Sequence, residues 1–201
     1  MAGGLTKHRF STIASAGLWN RRLAFGPAEK EKFRTLMRMM ERFSGCRAVS
    51  YCVMSNHFHV LLEVPPMPEG GLSDDELLVR LSGIYDEAAV SEVAGELAEA
   101  RLLEAGEVSA GRAHGIEVVP GRTVAGVHLR YTYRMHSLAE FMKTLLQRFT
   151  QWFNRLHERT GTLWEDRFKS VIVENGAAAR TVSAYIDLNP VRAGIVANPA
   201  D

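Results

Sequence analysis

Two histidines separated by one residue lie inside an apolar, strand-like run, SYCVMSNHFHVLLEV. In a strand, residues two apart point to the same face, so the imidazoles of His57 and His59 emerge side by side. Neutral imidazoles bind divalent metal ions well, and two from one strand make half of a site. The pair alone is a weak indication of a metal, because exposed histidines on a strand are often incidental.

A second pair of polar side chains lies near the C-terminus, in TVSAYIDLNPVRAGIV. Tyr185 and Asn189 are four residues apart, which places them on one face of a helix. The phenol is a possible oxygen nucleophile and the amide oxygen a hard, neutral metal ligand. Taken separately, packing of Tyr185 and capping by Asn189 are simpler interpretations. Together with the histidines, they suit phosphodiester cleavage, in which a metal ion polarises the phosphate and holds it for in-line attack.

The elements that must position these groups follow from apolar periodicity and turn residues. In chain order we predict a strand at 8–15, a helix from Gly26-Pro27 to Gly45, a hairpin of strands 47–54 and 57–64, a helix from the capping box at Ser137, a strand at 167–174, and a helix from about 177 to 188 that closes at Asn189-Pro190.

This order, β-α-β-β-α-β-α, predicts an α+β fold of the ferredoxin-like or RRM type: an antiparallel sheet with helices on one face. The apolar residues of 57–64 can face those helices, which leaves both histidines on an open face. We divide the chain into one domain, 1–66 and 134–201, and an insertion, 67–133. The insertion is helical in propensity over 72–105 and irregular over 106–133.

Charge divides along the same boundaries. The formal net charge is only +1, but residues 72–107 hold ten acids and two arginines, whereas the rest of the chain holds 22 basic and 13 acidic residues. The basic body can attract a polyanion and the acidic insert cannot. Three roles stay open for the acidic half: it packs on the core, covers a nucleic-acid groove in the free state, or does nothing specific.

The bulk composition indicates a soluble protein of the cytoplasm with no membrane contact. An apolar fraction of 46% in 201 residues supports a real core. The two cysteines, Cys46 and Cys52, form no disulfide framework and suit a reducing compartment. The N-terminus lacks the apolar stretch of a signal peptide, and no run approaches the ~20 apolar residues of a membrane span.

The segments YCVMSNHFHVLLEV and YIDLNPVRAGIV resemble the two signature segments of the single-tyrosine HUH transposases, most nearly those of the REP-associated tyrosine transposases. GTLWEDRFKS also resembles the segment that precedes the tyrosine helix in that family. The resemblance covers about 10–65 and 137–196 and omits the insertion. Relatives usually continue beyond the segment matching NPVRAG, so the resemblance leaves open that this is a C-terminally truncated fragment.

The resemblance implies a transposase-type endonuclease and strand transferase that acts on single-stranded, hairpin-bearing DNA as a monomer or homodimer. Tyr185 matches the nucleophile, which forms a 5′-phosphotyrosine intermediate and releases a 3′-OH. His57 and His59 match the metal motif, and Asn189 matches the polar third ligand. The expected ion is Mg²⁺ or Mn²⁺.

DNA contacts are expected from the basic body and from one aromatic side chain. Lysine and arginine would contact phosphates, and a tryptophan could stack on an unpaired base. The candidates are Arg21, Arg22, Arg167, Lys169 and Arg192, with Trp164 as the stacking residue.

Two other functions stay open. A zinc hydrolase would use His57 and His59 to activate water, with Tyr185 merely structural. A non-catalytic nucleic-acid-binding module would suit the RRM-like topology, but such modules usually present aromatic residues on the sheet face where this chain presents histidines.

Overall fold

A computed structural model describes residues 10–18, 25–109, 123–173 and 176–194. Its elements are β1 (Phe10–Gly17), α1 (Pro27–Ser44), β2 (Arg47–Val53), β3 (His57–Val64), α2 (Asp74–Leu81), α3 (Glu87–Ser109), α4 (Val124–Thr132), α5 (Leu138–Leu156), β4 (Lys169–Val173) and α6 (Gly176–Arg192). The strands form one antiparallel sheet in the order β2-β3-β1-β4. Without α2–α4, this is the ferredoxin-like α+β fold that the sequence predicts.

The two helices beneath the sheet begin and end where their local residues dictate. Pro27 opens α1, since proline needs no hydrogen bond in a first turn, and Gly45 ends it in the left-handed conformation, at φ 73°. Ser137 caps α5 by accepting a hydrogen bond from the backbone N–H of Glu140. Both helices bury one apolar face, which is why they lie side by side against the sheet.

One face of the sheet packs against α1 and α5 and forms the main core. Phe58, Val60 and Leu62 alternate along β3 and are fully buried there. Phe33 of α1 and Phe149 of α5 contact one another with ring centroids 5.5 Å apart. The sheet is therefore anchored from below, and β3 is fixed in position by every second side chain.

The sequence predicts an open face on the other side of the sheet. This prediction is wrong, because α6 lies on that face. Ile186 of α6 is fully buried in a second, smaller cluster with Cys52, Leu61 and Val173. The hydroxyl of Ser50 on β2 donates a hydrogen bond to Oδ1 of Asp187 on α6 at 2.8 Å. The physical reason is that this face carries its own apolar patch, which needs a cover; α1 and α5 share one face, and α6 takes the other.

The closing helix continues past the position where the sequence predicts its end. Pro190 lies inside α6, and the backbone N–H of Ala193 still bonds to the carbonyl of Asn189 at 3.0 Å. Proline removes one hydrogen bond without stopping the last turn. Gly194, at φ 67°, is the left-handed residue at the end.

The insertion is more helical than predicted. Its acidic part forms two helices, α2 and α3, and the part predicted as irregular includes the end of α3 and all of α4; residues 110–122 lie outside the described ranges. Thr123 starts α4 by accepting from the backbone N–H of Gly126 at 3.0 Å, and Val127 is buried beneath it. Leu77 and Leu81 of α2 are fully buried in the same core as Phe43 of α1. The insertion therefore packs on the helical side of the domain.

Cys46 and Cys52 are both free and both buried. Of the helices in the described ranges, none combines the length and the apolar character needed to span a bilayer.

Candidate active site

The sheet register places the two histidines on neighbouring rows of one face. His57 of β3 lies opposite Gly17 of β1, and His59 lies opposite Ser15. The two imidazole rings stand 5.1 Å apart, centroid to centroid, at 80° to one another. The rings are close enough to turn toward a shared ion.

A neighbouring amide orients His57. The Nδ1 atom of His57 lies 2.7 Å from Oδ1 of Asn56. With the Asn56 amide in this orientation its oxygen accepts, so Nδ1 of His57 donates and Nε2 keeps the lone pair. This is the arrangement that holds a metal-binding histidine in one tautomer.

His59 is kept in the neutral form that binds metals. Burial lowers the pKa of His59, and the nearby His57 lowers that pKa further, because a second positive charge there would be repelled. Its Nδ1 atom is buried and has no hydrogen-bond partner among the described residues. A buried nitrogen without a partner is costly unless a ligand or water satisfies it.

Tyr185 of α6 comes down beside the histidine pair. Its ring centroid lies 6.3 Å from that of His59, at 70°, and 46% of its surface is exposed. The neighbouring Ile186, buried in the second cluster, fixes the depth of this turn of α6 against the sheet. The guanidinium of Arg192 lies 5.7 Å from the centre of the Tyr185 ring, within cation–π range. The structure thus joins Tyr185 to the histidines and Arg192 to Tyr185.

Asn189 follows Tyr185 by one turn of α6. Its side-chain nitrogen is buried and lacks a hydrogen-bond partner among the described residues. The nitrogen and oxygen of an amide exchange places by a half-turn of the side chain, and their assignment follows from the hydrogen bonds around them. With the oxygen in that position, Asn189 presents an acceptor to a cation.

These donors fit a divalent ion. Two neutral imidazoles and an amide oxygen form a mixed nitrogen and oxygen set, which is softer than the all-oxygen set that Mg²⁺ prefers and suits Mn²⁺ well. Within the described ranges, no three His, Cys, Asp or Glu side chains are grouped so that they could hold a metal. The candidate for a third protein ligand is the amide of Asn189.

The histidines open into a cleft of about 390 Å³. Its floor is the end of β1, from Ser15 to Gly17; one wall is Asn56 with the two histidines, and the other is 165–167 with Lys169. The backbone N–H of Glu165 bonds to the carbonyl of Gly17 at 3.0 Å, which fixes the second wall against β1. The cleft is large enough for a nucleotide-sized group.

The DNA-contact candidates divide into three groups. Arg167 and Lys169 are exposed and line the cleft, and Arg192 lies over the Tyr185 ring. Arg21 and Arg22 lie outside the described residues.

Trp164 does not have the position of a stacking residue. It is 9% exposed and packs in the main core, and its indole N–H donates to Oγ1 of Thr150 at 2.9 Å. The prediction that Trp164 stacks on a base is wrong, because its ring is buried in the core and is not accessible to a base.

Sequence reasoning missed three features of the cleft. In the sequence analysis, Asn56 receives no role, Glu165 and Asp166 are not singled out within GTLWEDRFKS, and the small residues of β1 are not connected with the histidines. Only the register of β1 against β3 brings Ser15 and Gly17 under the imidazoles. The sequence signal available was the adjacency of Asn56 to His57, since a histidine ligand needs an orienting partner.

No protein-family model and no curated protein matches the chain. Among solved structures, it is similar to a REP-associated tyrosine transposase bound to a REP hairpin, with 14% identity and a TM-score of 0.48 over 100% of this chain and 79% of that one. It is also similar to a protein described as a putative transposase from Deinococcus radiodurans R1, with 10% identity and a TM-score of 0.42 over 93% of this chain and 95% of that one. Similarity at this level assigns no activity to this chain.

Proposed function

We propose that this protein is a transposase-type, metal-dependent endonuclease and strand transferase for single-stranded DNA, with Tyr185 as the nucleophile. One observation carries the proposal: α6 brings the Tyr185 ring to 6.3 Å from His59, whose ring is 5.1 Å from that of His57. A phenol from a helix thus lies beside two imidazoles from a strand, and phosphodiester cleavage through a covalent intermediate uses such a nucleophile next to a metal-binding pair.

The chemistry assigned to the chain is a transesterification. The phenol oxygen of Tyr185 gives its proton to solvent and attacks phosphorus; the bond to the 3′ oxygen breaks, and that oxygen takes a proton from solvent and leaves as a hydroxyl. The DNA 5′ phosphate stays on the tyrosine. His57, His59 and Asn189 would hold a divalent ion, which would supply Lewis-acid polarisation of a non-bridging phosphate oxygen.

The covalent link keeps the energy of the broken phosphodiester. A second DNA 3′-OH can therefore attack the phosphotyrosine, release the phenol and rejoin the strand without an external energy source. Arg192 lies over the Tyr185 ring, so its charge is placed to interact with the phenol as it is released. A hairpin-bearing substrate follows from the resemblance of the two signature segments.

The test is covalent capture. Purified protein is incubated with Mn²⁺ and a hairpin-bearing single strand, and the product is mapped by mass spectrometry. The expected result is DNA joined through its 5′ phosphate to Tyr185. Tyr185→Phe should abolish this product and leave hairpin affinity nearly unchanged. The matched control is Tyr133→Phe, because Tyr133 is also exposed but lies at the end of α4.

Two results would contradict the proposal in different ways. Water-hydrolysed ends with no protein–DNA link would indicate a hydrolase that uses the histidines to activate water. Tight binding of the hairpin with no cutting in the presence of Mn²⁺ would indicate a nucleic-acid-binding module.

A further inference from the structure

The wall of the cleft opposite the histidines carries charge of both signs. Glu165 and Asp166 precede Arg167 and Lys169 in the sequence, and all four side chains line the cleft and are exposed. A cleft for a phosphodiester has no evident use for two carboxylates. Where each charge lies along β1 therefore decides where a phosphate can bind.

The Glu165 carboxylate lies at the Gly17 end. A Cβ added to Gly17 would stand 3.8 Å from a carboxylate oxygen of Glu165, and Gly17 pairs with His57. This end of the cleft is also where Asn56 holds the His57 ring. The negative charge of Glu165 repels a phosphate from this end.

The other end is basic. Lys169 pairs with Ser15 in β4–β1, and Ser15 pairs with His59 in β1–β3, so the three residues form one row across the sheet. Alternation along the strands puts their side chains on the same face. Among the described residues, Lys169 forms no ion pair, so its charge is available to a ligand.

The residues of β1 between the two walls are small. Ser15 stands between His59 and Lys169, and Gly17 carries no side chain. A bulky residue at either position would fill the floor between the two walls. Small residues at both positions keep the trough open from one wall to the other.

We propose that the cleft is polarised: it holds one phosphodiester of a single strand over Ser15, between His59 and Lys169, while Glu165 excludes phosphate from the Gly17 end. The proposal deepens the proposed function and rests on it for the identity of the ligand. The row at Ser15 is the one nearest the nucleophile, because His59 is the histidine that the Tyr185 ring contacts. The charge pattern thus selects which phosphate along the strand meets the phenol.

The first test measures charge. Binding of a fluorescent oligo-dT is followed over a range of KCl concentrations, with metal chelated so that no cutting occurs. Removal of one phosphate contact on a single strand lowers the slope of log K against log salt by about 0.7. Lys169→Gln should show this decrease. Lys143→Gln is the control, because Lys143 is 66% exposed on α5 and pairs with Glu140.

A variant of opposite sign sharpens this test. Glu165→Gln removes a negative charge from the excluded end, so it should strengthen oligo-dT binding, whereas Lys169→Gln weakens it. An unchanged salt slope for Lys169→Gln, or weaker binding by Glu165→Gln, overturns the proposal.

The second test measures space. Ser15→Leu should lower oligo-dT affinity at least tenfold, because the longer side chain enters the open trough. Ser11→Leu is the matched control: Ser11 lies on the same face of β1, opposite Glu63 and outside the cleft. Equal binding by the two variants overturns the proposal. If Ser15→Leu fails to fold, the surface variant Lys169→Gln still decides.

Different results would contradict the proposed function and the polarity of the cleft. Wild-type protein that forms the tyrosine link while Lys169→Gln and Ser15→Leu bind like the wild type leaves the function intact and removes the polarity. Binding that responds to these variants in a protein that forms no covalent link leaves the polarity intact and removes the function.

Discussion

The packing of α6, the helix that carries Tyr185, against the sheet leads to a quantitative prediction. Within the described part of α6, Ile186 is the one fully buried side chain. Its cluster with Cys52, Leu61 and Val173 is separate from the main core, which holds the histidine strand through Phe58. Removal of the Ile186 side chain should therefore loosen α6 without unfolding the sheet.

The magnitude follows from the buried contact. Truncation of a buried isoleucine to alanine costs about 2–5 kcal/mol, which lowers the ratio of docked to undocked helix by about 30- to 5,000-fold. Ile186→Val should cost only about 0.5–1.5 kcal/mol, or up to about tenfold. The loss of covalent product should be larger for Ile186→Ala than for Ile186→Val, because Tyr185 is adjacent to Ile186 on the helix. Leu188→Ala is the control, since that side chain is 44% exposed.

Two measurements check the prediction together. Formation of the tyrosine–DNA link reports the position of Tyr185, and amide hydrogen exchange reports the docking of α6 against that of β3. The expected result for Ile186→Ala is fast exchange confined to α6 with loss of the link. Full formation of the link by Ile186→Ala, or equal loss of protection in α6 and β3, would refute the reasoning.

Three further perturbations test the described contacts. Asn56→Ala removes the orienting acceptor of His57 and should weaken Mn²⁺ binding about 10- to 100-fold by calorimetry; unchanged affinity would remove Asn56 from the site. Gly45→Ala should lower the free energy of unfolding by at least about 1–2 kcal/mol, because its φ is 73° and a Cβ would collide with neighbouring side chains, whereas Gly95→Ala, in open space on α3, should raise it by up to about 1 kcal/mol in urea titrations. Arg101, with a hydrogen bond from His128, lowers the pKa of Asp74, so the small stabilisation is present above its ordinary value of 3.8 and is lost as pH falls through the lower folded-state pKa; Asp74→Asn should flatten this part of the stability–pH curve, and an unchanged curve would contradict the assignment.

The sheet and its two supporting helices could be predicted from sequence because their signals are local. Alternation along 57–64, the proline at the start of α1 and the serine cap of α5 each act within a few residues. The position of α6 could not be predicted in this way. Its apolar contacts with Cys52 and Val173 join residues far apart in the sequence, and Pro190 is a stop signal that the last turn overrides.

The candidate site shows the same division. The histidine pair and the spacing of Tyr185 and Asn189 are visible in the sequence, because strand and helix periods place them on shared faces. The second wall of the cleft is not visible, since Glu165 meets Gly17 only through the pairing of distant segments. Trp164 shows the cost of judging a residue by type alone: its indole has a partner, Thr150, inside the core.

The place of the insertion explains how an acidic segment and a phosphate-binding row coexist in one chain. Leu77 and Leu81 of α2 are fully buried with Phe43 at the end of α1, so this part of the insertion packs on the core. None of its described residues lines the cleft beside the histidines. Of the three roles open to the acidic half, the structure supports packing, with the surplus of carboxylates on the helical side of the sheet. Since the histidines and Lys169 face the other side, the sheet itself separates the negative charge of the insertion from the phosphate row.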